Sequence, residues 1–174
     1  MGAYTPKLTV ADAKTGAVVY EIADPHFNWD GWSMNTAPVL GDANDVIDAQ
    51  GGRLLSFDLA KRQIAWEVTG GFTGQPSVAN GVVYVAKSGQ VEAHREADGG
   101  LLWTWVPPQG AVTGPMIVTN NILLVATAAA TYVIDLGTHG TTWSYPAGGQ
   151  LAISKFGTLF IAQATGKLTS IKLR

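Results

Sequence analysis

The sequence predicts an all-β protein that is built from repeated units of about 40 residues. Three observations support this prediction. The 174 residues are 47% hydrophobic and only 14% charged, and they include 21 glycines, which is typical of short apolar strands joined by tight turns. An eleven-residue motif that ends in a large aromatic residue occurs four times, and a second, proline-containing element alternates with it at a similar spacing.

The eleven-residue motif has an acidic or polar residue at its third position in every copy, and its aromatic residues lie 46, 37 and 40 residues apart. Glycine inside the motif suits a tight turn, and the acidic side chain can accept hydrogen bonds from the amides of that turn. The aromatic residue then has a large area with which to pack against a neighbouring sheet. We therefore predict a structural role for the marker residues Asp12, Gly16, Tyr20, Asp58, Trp66, Trp103, Asp135 and Trp143.

The second element begins with a proline and continues into a hairpin. Pro38, Pro76 and Pro115 are 38 and 39 residues apart, and Leu151 takes the place of proline in the last copy. Turn residues such as Asn80-Gly81 follow, and after them come short runs that are apolar on both faces, as expected of strands buried on both sides. Four short strands in each repeat predict a β-propeller of four-stranded antiparallel blades.

The pattern Ala-x-Asp-x-x-x-Gly-x-x-x-Trp resembles the tryptophan-docking motif of the pyrroloquinoline-quinone (PQQ) quinoprotein repeat family. Together with the proline-containing element, the resemblance covers nearly the whole chain. Single copies depart from the pattern, since Arg62 and His139 replace the turn glycine, Arg95 replaces the aspartate and Tyr20 replaces the tryptophan. We expect these departures to weaken individual blades without changing the fold.

The resemblance implies an order for the strands, which are lettered a to d from the centre of the propeller outward. It places the motif across the c–d turn, so the chain reads c-d, three rounds of a-b-c-d, and a-b-c. We expect one propeller segment over residues 1–174, with about four repeats in units at roughly 8–35, 36–73, 74–112, 113–148 and 149–174. Related propellers have seven or eight blades, so we expect the C-terminal part of a larger propeller. A compact four-bladed ring and two copies completing one eight-bladed ring are the alternatives, and open strand edges predict a homodimer of the fragment.

Composition and charge argue against several functions. The net charge of −2 without a basic run predicts no nucleic-acid partner. The sequence contains no uncharged apolar stretch of 18 residues, so it predicts no membrane span. The absence of cysteine removes disulfides, thiol catalysis and thiolate zinc sites. His26, His94 and His139 share no metal-ligand spacing, and the acidic stretch 42–48 occupies a predicted hairpin. We therefore predict no metal, no cofactor and no catalytic residue.

One loop has the composition of an interaction surface. The first repeat is six to nine residues longer than the others, and the excess falls within residues 23–35, between strand d of one blade and strand a of the next. In propellers this connection lies on the face where ligands usually bind, and amphipathic side chains are typical of interaction surfaces. The alternative is a loop that packs over a neighbouring blade. The candidate partner or ligand residues are His26, Phe27, Trp29, Asp30 and Trp32.

The resemblance implies two different functions. Quinoprotein dehydrogenases hold the quinone and Ca²⁺ in the propeller and place adjacent cysteines and a tryptophan around the cofactor, whereas non-catalytic relatives offer loops and grooves to protein partners. Because this chain has no cysteine and its repeats carry packing and turn residues, the sequence favours a non-enzymatic scaffold or protein-interaction module. We expect a bacterial envelope or secreted protein, periplasmic or extracellular, although no signal peptide lies within the chain. The alternatives are the C-terminal part of a PQQ-dependent dehydrogenase and a carbohydrate-binding propeller that uses Trp29 and Trp32.

Overall fold

The computed structural model describes residues 6–27, 36–112 and 114–173, and no helix occurs in these ranges. The prediction of an all-β chain is therefore confirmed. The strands are β1 (Lys7–Ala11), β2 (Val18–Ala23), β3 (Val39–Leu40), β4 (Asp45–Gln50), β5 (Gly52–Asp58), β6 (Gln63–Ala79), β7 (Val82–Lys87), β8 (Gln90–Arg95), β9 (Leu101–Trp105), β10 (Ile117–Val118), β11 (Ile122–Ala126), β12 (Thr131–Asp135), β13 (Thr141–Tyr145), β14 (Gln150–Ile153), β15 (Thr158–Ala162) and β16 (Leu168–Lys172).

The strands pair antiparallel in chain order, and they form the blades of a partial propeller. Blade 1 consists of β1 and β2, and blade 2 of β3, β4, β5 and the first half of β6. Blade 3 consists of the second half of β6 with β7, β8 and β9, blade 4 of β10 to β13, and blade 5 of β14 to β16. This order of two, four, four, four and three strands confirms the predicted strand sequence. No sheet closes on itself among the described residues, and the bounds of the predicted repeat units stay a prediction.

Blades 2 and 3 share the long strand β6, which the repeat pattern did not predict. The N-terminal half of β6 pairs with β5 and its C-terminal half pairs with β7, so the two blades form one seven-stranded sheet. Gly71 and Gly74 have φ angles of 74° and 76°, a region that glycine enters without steric cost. These glycines let the strand bend from the outer edge of one blade to the inner edge of the next. Phe72 is buried at the bend and pairs with both neighbouring strands.

Buried apolar side chains lie in layers between neighbouring blades. The runs 83–86 in β7 and 123–126 in β11 are buried at every position, which confirms that these strands face a blade on each side. The layer between blades 3 and 4 contains Tyr84, Leu123 and Ile134, and the layer between blades 4 and 5 contains Leu124 and Ile161. Burial of such side chains provides the main favourable free energy that holds one blade to the next.

In the first three copies of the motif, the aromatic residue packs on the c–d turn of the following blade. The indole Nε1 of Trp66 donates a hydrogen bond to the backbone carbonyl of Glu96 at 2.6 Å. A Cβ atom added to Gly99 in the same turn would lie 2.6 Å from the Trp66 ring, so only glycine leaves room for this contact. In the preceding blade, the hydroxyl of Tyr20 donates to the carbonyl of Leu59 at 3.3 Å. Tyrosine thus keeps the hydrogen bond of the tryptophan that it replaces.

The residues that replace the turn glycine make contacts that glycine could not make. Arg62 has a φ of 56°, and its guanidinium lies 4.5 Å from the centre of the Tyr20 ring. His139 has a φ of 58°, and its ring stacks on Trp103 at 4.6 Å. A cation over an aromatic face and a stacked ring pair each contribute about 0.5–1.5 kcal/mol at such distances. These contacts offset part of the backbone cost of a non-glycine residue at positive φ.

The acidic residues of the motif bind the amides of their own turns. Asp12 accepts a hydrogen bond from the Thr15 amide at 2.8 Å, Asp58 from the Lys61 amide at 2.8 Å and Asp135 from the Thr138 amide at 2.7 Å. These hydrogen bonds lower the pKa of all three carboxyl groups. The largest cause for Asp12 is the hydrogen bond from the Thr15 hydroxyl, and for Asp58 and Asp135 it is the hydrogen bond from the backbone amide. In the third copy Arg95 takes the place of the aspartate, and Asp98 accepts a hydrogen bond from the Gly100 amide at 2.9 Å instead.

Trp105, which lies outside the motif, and Trp143, which ends its fourth copy, have different environments. Trp105 is buried, its Nε1 donates to the hydroxyl of Thr141 at 3.1 Å, and its ring lies 5.3 Å from that of Tyr132. It is therefore a packing residue between blades 3 and 4. Trp143, which is 37% exposed, stacks on Tyr145 of its own strand at 6.1 Å.

Candidate functional site

The predicted interaction loop begins at the junction between blades 1 and 2. Among its candidate residues, His26 and Phe27 follow β2, while Trp29, Asp30 and Trp32 lie outside the described residues. Phe27 lines a cavity of 260 Å³ that opens between the two blades. The structure therefore places Phe27 in the wall of this cavity, whereas His26 lines a separate pocket.

This cavity combines apolar and acidic walls. Blade 1 contributes β1 and the residues around it, and blade 2 contributes β4, β5 and the segment before β3. Two carboxyl groups, those of Asp24 and Asp48, reach the wall. The lining residues are Pro6, Lys7, Leu8, Thr9, Asp24, Phe27, Thr36, Pro38, Asp48, Gln50 and Phe57.

A buried ion network lies behind the acidic wall and joins the two blades. Arg53 at the start of β5 donates to both carboxylate oxygens of Asp24, at 2.6 and 3.2 Å, and its Nη1 lies 3.2 Å from a carboxylate oxygen of Glu67. Arg53 and Asp24 are each 6% exposed. The amide of Asp24 donates to the carbonyl of Pro6 at 2.9 Å, which fixes the residue directly after β2. The bidentate pair is the strong geometry for arginine and carboxylate.

Two acidic residues near Arg53, namely Glu67 and Asp48, have shifted pKa values. The hydrogen bond from His26 Nδ1, at 2.9 Å, is the largest cause that lowers the pKa of Glu67, and Arg53 adds to it. Burial raises the pKa of Asp48. The Oδ1 atom of Asp48 is buried and has no hydrogen-bond partner within the described ranges. This oxygen has almost no accessible surface, so it lies behind the wall of the cavity and is not open to a bound molecule.

This arrangement has the composition of a binding pocket. Asp24 and Glu67 both pair with Arg53. Apolar walls with a few convergent polar groups are typical of such pockets.

Sequence reasoning missed the members of the network. Asp24 falls inside the predicted loop but is not among its candidate binding residues, and Asp48 belongs to the acidic stretch 42–48 that was interpreted as a hairpin turn. Arg53 carried a signal that could have found it, since it is a charged residue directly before the apolar pair Leu54-Leu55. A lone charge in a strand that faces a blade on each side needs a buried partner.

None of the three histidines lines this cavity. His94, expected on one face of a strand, is buried in blade 3, where Nδ1 lies 2.8 Å from the carbonyl of Gly99 and Nε2 lies 2.9 Å from the carboxylate of Glu92. Both ring nitrogens are therefore engaged by protein acceptors. In the part of the chain that the structure describes, no cluster of three or more His, Cys, Asp or Glu side chains could hold a metal ion. The same ranges contain no helix long and apolar enough to cross a membrane.

Comparisons with known proteins agree with this fold. A family model described as outer membrane protein assembly factor BamB matches residues 46–174, which is more than half of the chain. The crystal structure of BamB from Moraxella catarrhalis is similar with a TM-score of 0.74 and 16% identity, over 95% of this chain and 55% of that chain. The chain thus spans about half the length of that BamB.

Two computationally designed proteins have the same fold. Ika8 is similar with a TM-score of 0.70 and 20% identity, over 91% of this chain and 50% of that chain. Ika4 is similar with a TM-score of 0.67 and 18% identity, over 84% of this chain and 96% of that chain. No curated protein sequence matches the chain. At these identities the likeness to solved structures shows the fold alone.

Proposed function

We propose that this chain, which belongs to the family of the outer membrane protein assembly factor BamB, is part of a non-catalytic propeller that binds a protein partner in the bacterial envelope. The observation that carries the proposal is the family match over residues 46–174. A periplasmic or other envelope location follows from the same family description and belongs to the proposal. The predicted homodimer stays a prediction.

The cavity between blades 1 and 2 is the surface that best suits such a partner. Phe27 lies in its wall, and the exposed ring of His26 directly precedes it in the chain. An extended partner segment with one apolar side chain would fill the apolar part of the cavity. Aromatic side chains are enriched in the cores of protein interfaces.

The absence of catalysis is the second half of the proposal. A dehydrogenase of the PQQ type would need a quinone and a divalent cation. Two acids line the described cavity: Asp24 is already bound by Arg53, and burial raises the pKa of Asp48, which favours its neutral form. Neither acid offers a free carboxylate to a metal ion. The geometry thus favours recognition of a polypeptide over cofactor chemistry.

We expect that PQQ added together with Ca²⁺ leaves the thermal midpoint of unfolding unchanged. A ligand that binds only the folded chain stabilises it by about 2.7 kcal/mol at a hundredfold excess over its Kd, which would raise the midpoint by about 5–10 °C in a chain of this size. Differential scanning fluorimetry across a titration makes this measurement, with PQQ alone and Ca²⁺ alone as controls. A saturable rise that needs both components would contradict the proposal and favour the dehydrogenase.

A further inference from the structure

The junction between blades 2 and 3 contains a buried pair of acidic residues. Asp45 is the first residue of β4 and is 6% exposed, and Glu96, directly after β8, is 3% exposed. Asp45 Oδ2 accepts a hydrogen bond from the hydroxyl of Ser56 at 2.7 Å, and Glu96 Oε1 accepts one from the amide of Ala43 at 2.9 Å. The remaining oxygens, Asp45 Oδ1 and Glu96 Oε2, are buried without a hydrogen-bond partner among the described residues.

The two carboxyl groups meet beside Gly41. A Cβ atom added to this glycine would collide with a carboxylate oxygen of both Asp45 and Glu96. The two acids therefore share one confined space that the missing side chain of Gly41 leaves open.

The equivalent positions of the next two junctions are apolar. The residues directly after strand c bind the strand-b turn of their own blade in the same way, since the amides of Glu96, Leu136 and Leu173 donate to the carbonyls of Gly81, Asn121 and Gly157. At the next junction, Val82 at the start of β7 and Leu136 belong to one apolar cluster. At the last junction, Ile122 and Leu173 do the same. Asp45 and Glu96 thus occupy the place of an apolar pair.

The surroundings do not supply a positive charge for these acids. No lysine, arginine or histidine forms an ion pair with Asp45 or Glu96 within the described ranges. The ionisable groups on the neighbouring elements are engaged with partners of their own: Asp42 with the Gly81 amide, Asp58 with Lys61, Arg95 with Asp98, and His94 with Glu92. Two ionised carboxylates in one buried space are strongly unfavourable, so one of them must hold a proton or a cation.

We propose that Asp45 and Glu96 share one proton, and that this proton fastens blade 2 to blade 3. The protonated carboxyl donates to the other carboxylate, which removes one of the two like charges without a counterion. Loss of the proton leaves two negative charges in the same space and loosens the junction. The junction is thus a pH-dependent latch, whereas the next two junctions have apolar pairs in the same place.

The direction of the pH dependence follows from the raised pKa of Glu96. Burial is its largest cause, and the contact with Asp45 raises the pKa further. A carboxyl group whose pKa is higher in the folded than in the unfolded chain stabilises the fold fully below the ordinary pKa of glutamate. This stabilisation is lost as the pH rises through the raised value.

The test compares the wild type with D45V/E96L, which copies the Val82–Leu136 pair of the next junction. Between pH 5 and pH 9 we expect the thermal midpoint of the wild type to fall by about 3 °C or more relative to that of the double variant. The D45N variant, which removes one charge but keeps the shape, is expected to flatten the profile in the same way if the double variant does not fold. Infrared spectra at pH 6 should also show the carbonyl band of a buried protonated carboxyl group that is missing in E96Q.

Two results would overturn the latch. Parallel pH profiles for the wild type, D45N and D45V/E96L would show that the acids carry no shared proton. A midpoint of the wild type that rises saturably with Ca²⁺ or Na⁺ at pH 8, with no rise in D45V/E96L, would show that a cation takes the place of the proton. Neither result depends on the binding function proposed for the cavity between blades 1 and 2.

Discussion

Replacement of Arg53 by alanine is expected to lower the free energy of unfolding by about 3–5 kcal/mol. Arg53 holds Asp24 through two hydrogen bonds and also contacts Glu67, and both Arg53 and Asp24 are almost fully buried. Removing the guanidinium leaves the buried carboxylate of Asp24 without compensation and leaves Glu67 with His26 alone. Urea unfolding followed by tryptophan fluorescence measures the change.

The matched control is the same substitution at Arg95. Its ion pair with Asp98 has a similar length of 2.6 Å, but both side chains are more than half exposed. Exposed pairs contribute about 0–1 kcal/mol, so R95A should be nearly as stable as the wild type. Equal effects of R53A and R95A would contradict the structural role of the buried network.

Replacement of Trp66 by alanine is expected to cost about 3 kcal/mol of stability. The substitution removes the ring that packs on the turn at Gly99, together with the hydrogen bond from Nε1 to the carbonyl of Glu96. The same substitution at Trp143, which is 37% exposed, is the control and should cost less than half as much. The measurement is the midpoint of urea unfolding, and a larger loss in W143A than in W66A would contradict the docking contact.

A pair of glycine substitutions separates the docking contact from backbone strain. Gly16 and Gly99 occupy equivalent turns with φ angles of 70° and 71°. A Cβ atom at Gly16 meets nothing within 4 Å, whereas one at Gly99 would collide with Trp66. Both variants to alanine share a backbone cost of about 1 kcal/mol, and only G99A adds the loss of the docked ring. Equal destabilisation of the two variants would show that Trp66 does not bind this turn tightly.

The repeats made most of the fold predictable. Two independent markers, the aromatic residues and the prolines, have similar spacings, and each strand lies between turn residues that the sequence shows directly. The continuous strand β6 was not predictable in the same way. Its bend depends on Gly71 and Gly74, and glycines between two apolar runs are equally typical of a loop.

The candidate site was predictable only in part. The loop length led to His26 and Phe27, but Arg53 lies 29 residues beyond Asp24 and meets it only because blade 1 packs on blade 2. Glu96 was hidden for a related reason, because it looks like a turn residue within its own repeat. Its burial comes from Asp45 and Gly41 of the neighbouring blade. Local pattern identifies the blades, whereas the charges between blades become visible only when the blades are assembled.

Site-specific photo-cross-linking in intact bacterial cells tests directly whether the junction of blades 1 and 2 binds a protein. A cross-linking amino acid is placed either at His26, which is exposed and directly precedes the cavity-lining Phe27, or at Thr138, which is exposed in a turn of blade 4 and does not line the cavity. We expect a discrete cross-linked product with one envelope protein from position 26 and none from position 138. Equal labelling from both positions, or no product from position 26, would contradict a partner-binding role for this junction.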